Sequence, residues 1–199
     1  MNSSTTPLAT FEERRDELAR AVQRSRELIA ASRSSGSPLR GEDTAVAFRA
    51  FKRLLDTEGI RPALYSLLRL TDYRFISIFR FSDGMATSAV HVDRDDLSAL
   101  QAAEVPDTAT YCCYVRDGNG AFVTADALID PRTANHAARE AVRAYCGVPI
   151  MDPEGGLIGT LCHYDLLPRD PEQLDVELLL QAASALAQSG LVPPYPGRG

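Results

Sequence analysis

The sequence predicts an α+β domain, one antiparallel sheet with helices on both faces. Two observations carry that prediction. Two strand–turn–strand signals, "YRFISIFRFSDGMATSAVHV" over 73–92 and "AYCGVPIMDPEGGLIGTLCHYD" over 144–165, each turn on a Gly-containing cluster. Amphipathic helical stretches flank them, at 44–57 and at 169–190.

The chain of 199 residues is long enough for one packed domain plus an extra element, and its 45% hydrophobic content is ordinary for a globular protein. No run approaches the ~18 apolar residues of a membrane span. The opening "MNSSTTPLATFEERRDELAR" lacks the basic start and apolar stretch of a secretory signal, so the expected location is cytoplasmic. Residues 1–40 carry seven arginines against five acids, whereas the remainder carries 14 basic and 22 acidic side chains. That acidic body offers no electrostatic footprint for nucleic acid, and Lys52 is the one lysine.

The elements follow in order. Residues 11–32 read as a helix with a narrow apolar stripe of Phe11, Leu18, Val22 and Ile29, with Leu28 beside it; Arg15 and Ser25 interrupt the stripe. Such a helix is marginal alone and needs a partner. "SRSSGSPLRGE" is a linker by composition. Asp43 is placed to cap a helix over 44–57, with Phe48, Phe51 and Leu55 on one face and Gly59 after its end. Pro62 suits the first turn of a second helix that turns Leu64, Leu67 and Leu68 inward. Strands follow over 73–92, then an acidic irregular stretch over 93–105. Next come a short helix ending near Asp117–Gly120, a strand over 121–124, and turns at Asp126 and Asp130-Pro131. Residues 135–143 read as helical, before the second hairpin and the long helix over 169–190. The expected division is a helix and linker over 1–43, a domain over 44–190 and a disordered tail over 191–199.

The four cysteines, Cys112, Cys113, Cys146 and Cys162, form no C-x-x-C pair and fit no zinc spacing, so no metal is expected and all four read as reduced thiols. The adjacent Cys162 and His163 suggest a catalytic dyad. In a strand, however, neighbours point to opposite faces, so the two cannot converge on one atom. No catalytic residue is assigned. Cys162 reads as a small core hydrophobe, and Asp126, Asp130 and Asp165 as cap or turn residues.

"RFISIFRFSDG", "TYCCYVRDGNGAFVTADALIDPR", "VRAYCGVPIMDPEGGLIGTLCHYD" and "EQLDVELLLQAASALAQ" occur in the order of the pieces of the GAF domain family, and the region 44–190 resembles that family. The hairpin is similar to the family's Y-x-G-x-P-[LI]…G-x-x-[IL]-G-[TS]-L pattern. The resemblance implies a GAF-like (profilin-like) fold: a six-stranded antiparallel sheet, with terminal helices on one face and short helices and loops roofing a ligand pocket on the other. It implies a sensory or regulatory module that binds a small molecule of unknown identity, here with no effector domain of its own. Bilin-binding relatives present pocket histidines from the strand that holds His163, in phase with Gly159. By that parity His163 faces the pocket and Cys162 faces the terminal helices, although those relatives carry a C-H-H run one residue further along.

The expected ligand-binding residues are His163, Phe79, Tyr111, Cys113, Thr124 and Asp126. A titrating His163 would make binding pH-sensitive near the ordinary histidine pKa of ~6.5. The alternative function is a GAF-type thiol-dependent free methionine sulfoxide reductase, though the cysteine spacing does not match that family. Covalent bilin attachment fails at Tyr114, which stands where a histidine commonly follows the cysteine. Haem would need His91, His136 or His163, and the cyclic-nucleotide signature has no lysine in place. The cofactor stays unknown. Two apolar stripes on 169–190, with the seam on 11–32, predict a homodimer built from terminal helices, signalling to an effector protein as partner.

Overall fold

The computed structural model describes residues 41–193; the helix expected over 11–32 and the last residues of the tail lie outside them. Helix α1 spans Gly41–Thr57 and α2 spans Ile60–Leu68. Asp43, expected as a cap, lies inside α1. Two strands then form a hairpin, β1 Phe75–Ser82 and β2 Met85–Asp93. Its turn is Asp83-Gly84, with φ of 53° and 76°, the primed geometry that suits the twist of the strands and that glycine adopts without strain. A two-residue edge strand, β3 Val105–Pro106, is bounded by the irregular stretch and a one-turn helix at Asp107–Ala109.

Helix α3 spans Cys112–Gly118 and ends in a left-handed Asn119. Three strands complete the sheet: β4 Phe122–Thr124, β5 Ala144–Met151 and β6 Leu157–Asp165. All pairings are antiparallel, in the order β3-β2-β1-β6-β5-β4. The six-stranded α+β architecture expected from the sequence is therefore the one observed.

Two expected helices change. Residues 135–143 form isolated turns and no helix. Side chains there take over backbone partners: His136 Nδ1 accepts from the Ala138 N–H, and the Arg139 guanidinium donates to the carbonyls of Ala127 and Leu128. The long helix expected over 169–190 is a short 3-10 turn, Pro171–Gln173, an extended Leu174, and then α4, Val176–Ser189. Asp175 makes the break. It caps α4 by accepting from the Leu178 N–H at 3.0 Å, a bond that requires a non-helical backbone at the cap.

The helix-side core buries Phe51 and Leu55 of α1, Leu64, Leu67 and Leu68 of α2, and Leu178, Leu179 and Leu186 of α4, against Ile76, Ile78, Val148, Ile150 and Leu161 of the sheet. Asp175 also accepts a hydrogen bond from the Thr44 hydroxyl, so one carboxylate both caps α4 and ties it to α1. Asp175→Ala removes both bonds and is expected to cost about 1–2 kcal/mol. Urea denaturation checks this. The midpoint should fall at unchanged slope, and Thr44→Val should account for less than half of the fall.

Candidate functional site

The register of the central strands builds the site. Across the face opposite the terminal helices, Phe122, Gly147, Cys162, Ser77 and His91 stand in one row, and Thr124, Tyr145, Tyr164, Phe75 and Asp93 in the next. Residues on paired antiparallel strands share a face, so both rows point to the roof. The roof packs Tyr111, Cys112, Val115 and Ala127 onto Phe79, Phe122, Tyr145 and Cys162.

Gly147 shapes the middle of this face. The Tyr145 ring lies across it, where a Cβ on residue 147 would collide with the phenol. The freed path lets Tyr145 Oη donate to Cys112 Sγ at 3.2 Å. Burial pushes the Cys112 thiol up, but the hydrogen bond from Tyr145 and the neighbouring Cys162, Thr110 and Thr160 side chains favour its thiolate and bring it down to about 7. The Cys162 thiol, buried and paired with Cys112, is held well above the ordinary range. Its sulfur also contacts the Ser77 carbonyl at 3.7 Å.

At the rim, the His136 ring lies 4.4 Å from Tyr111 and 5.2 Å from Tyr114, and its Nε2 is 3.6 Å from Cys113 Sγ. Because Nδ1 accepts from Ala138, the neutral ring carries its proton on Nε2, facing the sulfur. Burial pulls the His136 pKa down and pushes Cys113 up, so both groups are neutral near pH ~7. Tyr114 stacks 4.6 Å from Phe122, and the Arg132 guanidinium covers Phe122 at 4.7 Å.

A third cluster escaped the sequence reading. Ser77 Oγ lies 2.8 Å from His91 Nδ1, and Tyr164 Oη lies 3.4 Å from the same nitrogen. Burial lowers the His91 pKa against the opposing pull of Asp93. A bulge between Ile78 and Phe79 makes this cluster: without it Ser77 would face Val90, and His91 would point to the helices. No residue in the hairpin turn announces that bulge.

Of the expected site residues, Phe79, Tyr111 and Thr124 are brought together under the roof, and Cys113 stands at its rim. Asp126 is engaged by Arg143 through two bonds of 2.8 Å and accepts from the Leu128 N–H, as its turn role predicts. His163 corrects the sequence reading. Cys162 and His163 do occupy opposite faces, but the assignment is reversed. Cys162 faces the roof, and His163 faces the helices, in a row with Val123, Cys146, Ile76 and Val92. The aliphatic residues in phase with His163, Leu161 above all, belong against the leucines of α2 and α4, and that requirement sets the parity.

His163 is 2% exposed, its Nδ1 has no partner among the described residues, and it borders a cavity of about 20 Å³ lined by Leu67, Leu70, Thr71, Asp175 and Leu178 among others. That space suffices for a water. Burial, then the Arg94 charge, lower its pKa to about 3, so it does not titrate near ~6.5 as expected. Among the described residues, no helix is long and apolar enough to cross a membrane and no group of three or more potential ligands is gathered for a metal.

The GAF domain profile matches residues 57–189. The chain belongs to the GAF domain family. An 84-residue stretch is 34% identical to a cyclic di-GMP phosphodiesterase of Pseudomonas aeruginosa, covering 40% of this chain and only 14% of that relative. The chromophore-binding domain of the bacteriophytochrome RpBphP3 from R. palustris superposes with a TM-score of 0.56 at 15% identity, over 77% of this chain and 60% of that one. Free methionine-R-sulfoxide reductase from Neisseria meningitidis, solved with its substrate, gives a TM-score of 0.58 at 15% identity, over 78% and 92% of the two chains. At these identities the solved structures share the fold.

The low His163 pKa fixes a sign. The unfolded chain binds this proton from about pH 6.5 downward while the folded chain does not, so the stability contribution is complete above about pH 6.5 and is lost as pH falls toward 3. The loss approaches about 1.4 kcal/mol per pH unit. His163→Leu should flatten the fall in urea stability between about pH 7 and about pH 5 relative to the parent chain. Separately, Tyr145→Phe removes the donor to Cys112 and should cost about 1 kcal/mol by the same measurement.

Proposed function

We propose that this GAF domain is a sensory module that binds a small molecule between the Cys162 face of the sheet and its roof, and signals through a dimer of terminal helices. The observation that supports this most is the contrast between the two faces. The helix side is mainly aliphatic, with Phe51, Tyr73 and Cys146 among its leucines, isoleucines and alanines, whereas the roofed side is dominated by aromatic rings with thiols and hydroxyls between them. Small-ligand sites combine apolar surface with a few polar tips in this way. In this reading Phe79, Tyr111, Cys113 and Thr124 face the ligand, Asp126 stands at its edge, and His163, on the opposite face, takes no part. The domain proper is taken as 44–190, with 1–43 before it and a tail over 191–199, and the protein as cytoplasmic with a separate effector partner.

The dimer proposal draws on α4. One of its stripes covers the sheet and α1 packs on it, while Val46 of α1 stays 55% exposed and Leu180 is half-buried. The seam over 11–32 complements such a surface. A second reading is a reductase acting on free methionine sulfoxide, favoured by the coverage of the Neisseria enzyme's fold. Against it, all four thiols here are buried, out of contact with a substrate the size of an amino acid.

Native mass spectrometry of the protein taken from its own cell extract tests the binding proposal. A bound molecule that Tyr111→Ala and Thr124→Val release supports it, and a ligand-free chain contradicts it. Light scattering tests the dimer. Twice the chain mass is expected, with dissociation by Leu18→Asp plus Val22→Asp, and a mass of 21.6 kDa contradicts it. Turnover of methionine sulfoxide with a thiol reductant would favour the second reading.

A further inference from the structure

We infer that Cys112 and Cys162 are a redox pair that closes into a disulfide between α3 of the roof and β6 of the sheet. Both are free, fully buried thiols. They come from elements far apart in sequence, yet they pack into the same buried cluster between roof and sheet, where each thiol shifts the other's ionisation. The surrounding geometry agrees. Cys162 lies directly opposite Gly147, the Tyr145 phenol fills the space above Gly147, and that phenol reaches Cys112 Sγ. The other two cysteines are turned elsewhere. Cys146 shares the helix face with His163, and Cys113 contacts His136 at the rim. A hydroxyl donor on one thiol of a contacting pair favours its thiolate, the form that reacts with oxidants.

The step balances with hydrogen peroxide, an oxidant about as small as the water a buried site admits. The Cys112 thiolate attacks one peroxide oxygen and the O–O bond breaks. Hydroxide leaves and takes up the thiol's proton as water, and Cys112 becomes a sulfenic acid. The Cys162 sulfur then attacks Cys112 Sγ, the S–O bond breaks, and the second water leaves with the Cys162 proton. Two electrons pass from the sulfur pair to the peroxide oxygens. A dithiol reductant reverses the bond by exchange. The inference does not depend on a ligand occupying the roofed face.

Intact and peptide-mapped mass spectrometry of the full chain after a short peroxide treatment tests the inference. The expected chain is lighter by two hydrogens, carries a single Cys112–Cys162 link, and is restored by dithiothreitol. Cys113→Ser should behave like the parent chain. Cys162→Ser should stop at a sulfenic acid on Cys112 that dimedone captures. An unchanged mass, a link through Cys113 or Cys146, a link between chains, or added oxygen at Cys112 of the parent chain overturns it. The parent-chain map decides the question even if the serine variants do not fold.

Discussion

Strand β6 sits between β1 and β5, and its alternation sorts the whole molecule. Leu161 and His163 are committed to one face, and Thr160, Cys162 and Tyr164 to the other. Every cross-strand neighbour inherits that commitment. Ile76, Ile78, Val148 and Cys146 join the leucines of the terminal helices, while Ser77, Phe79, Tyr145 and Gly147 meet the roof. A slip of one residue would exchange the two sets. It would turn Tyr164 toward the terminal helices and leave Leu161 among hydroxyls, a loss of both aliphatic packing and polar partners that the register avoids.

That constraint gives the two faces different physical characters. The helix side is a largely aliphatic core with a neutral, buried histidine bordering a small cavity. The roofed side is denser in rings and polar tips. Tyr111, for example, lies 6.0 Å from Phe122 and 5.6 Å from Tyr145. Its margins are held by paired charges: Arg143 on Asp126, Arg74 on Asp93, and Arg169 on Asp165, whose carboxylate also accepts from the backbone of Arg74 and Leu167. The first two pairs are bidentate, and partly buried pairs of this kind fix geometry more than they add stability. Here they fix where the loops after β2, β4 and β6 leave the sheet.

Much of the fold was legible because its signals are local. The Asp83-Gly84 turn, the Asp152–Gly156 turn and the leucine periodicity of α2 each depend on a few neighbouring residues. The candidate site was legible in part. Phe79, Tyr111, Cys113 and Thr124 could be placed because alternation within a strand, or the turn of a helix, locates them. The reversed His163 and the Ser77–His91–Tyr164 cluster were not legible from strand patterns taken singly. Face assignment is a property of the assembled sheet, decided by which rows match the leucine-rich helices. The bulge at Ala89 of β2 changes register without a glycine or proline to mark it. Residues 135–143 went astray for another reason: His136 bonds the Ala138 N–H and Arg139 the carbonyls of Ala127 and Leu128, contacts that tie the stretch to the loop after β4.

The most direct measurement of the face division is a NOESY spectrum of the folded chain with histidine, tyrosine and leucine signals assigned. His163 ring protons should show contacts to Tyr73, Leu178 and Leu179, and the Cys162 β-protons should show contacts to Tyr145 and Cys112. Contacts from the His163 ring to Tyr111 or Phe122 would contradict the account.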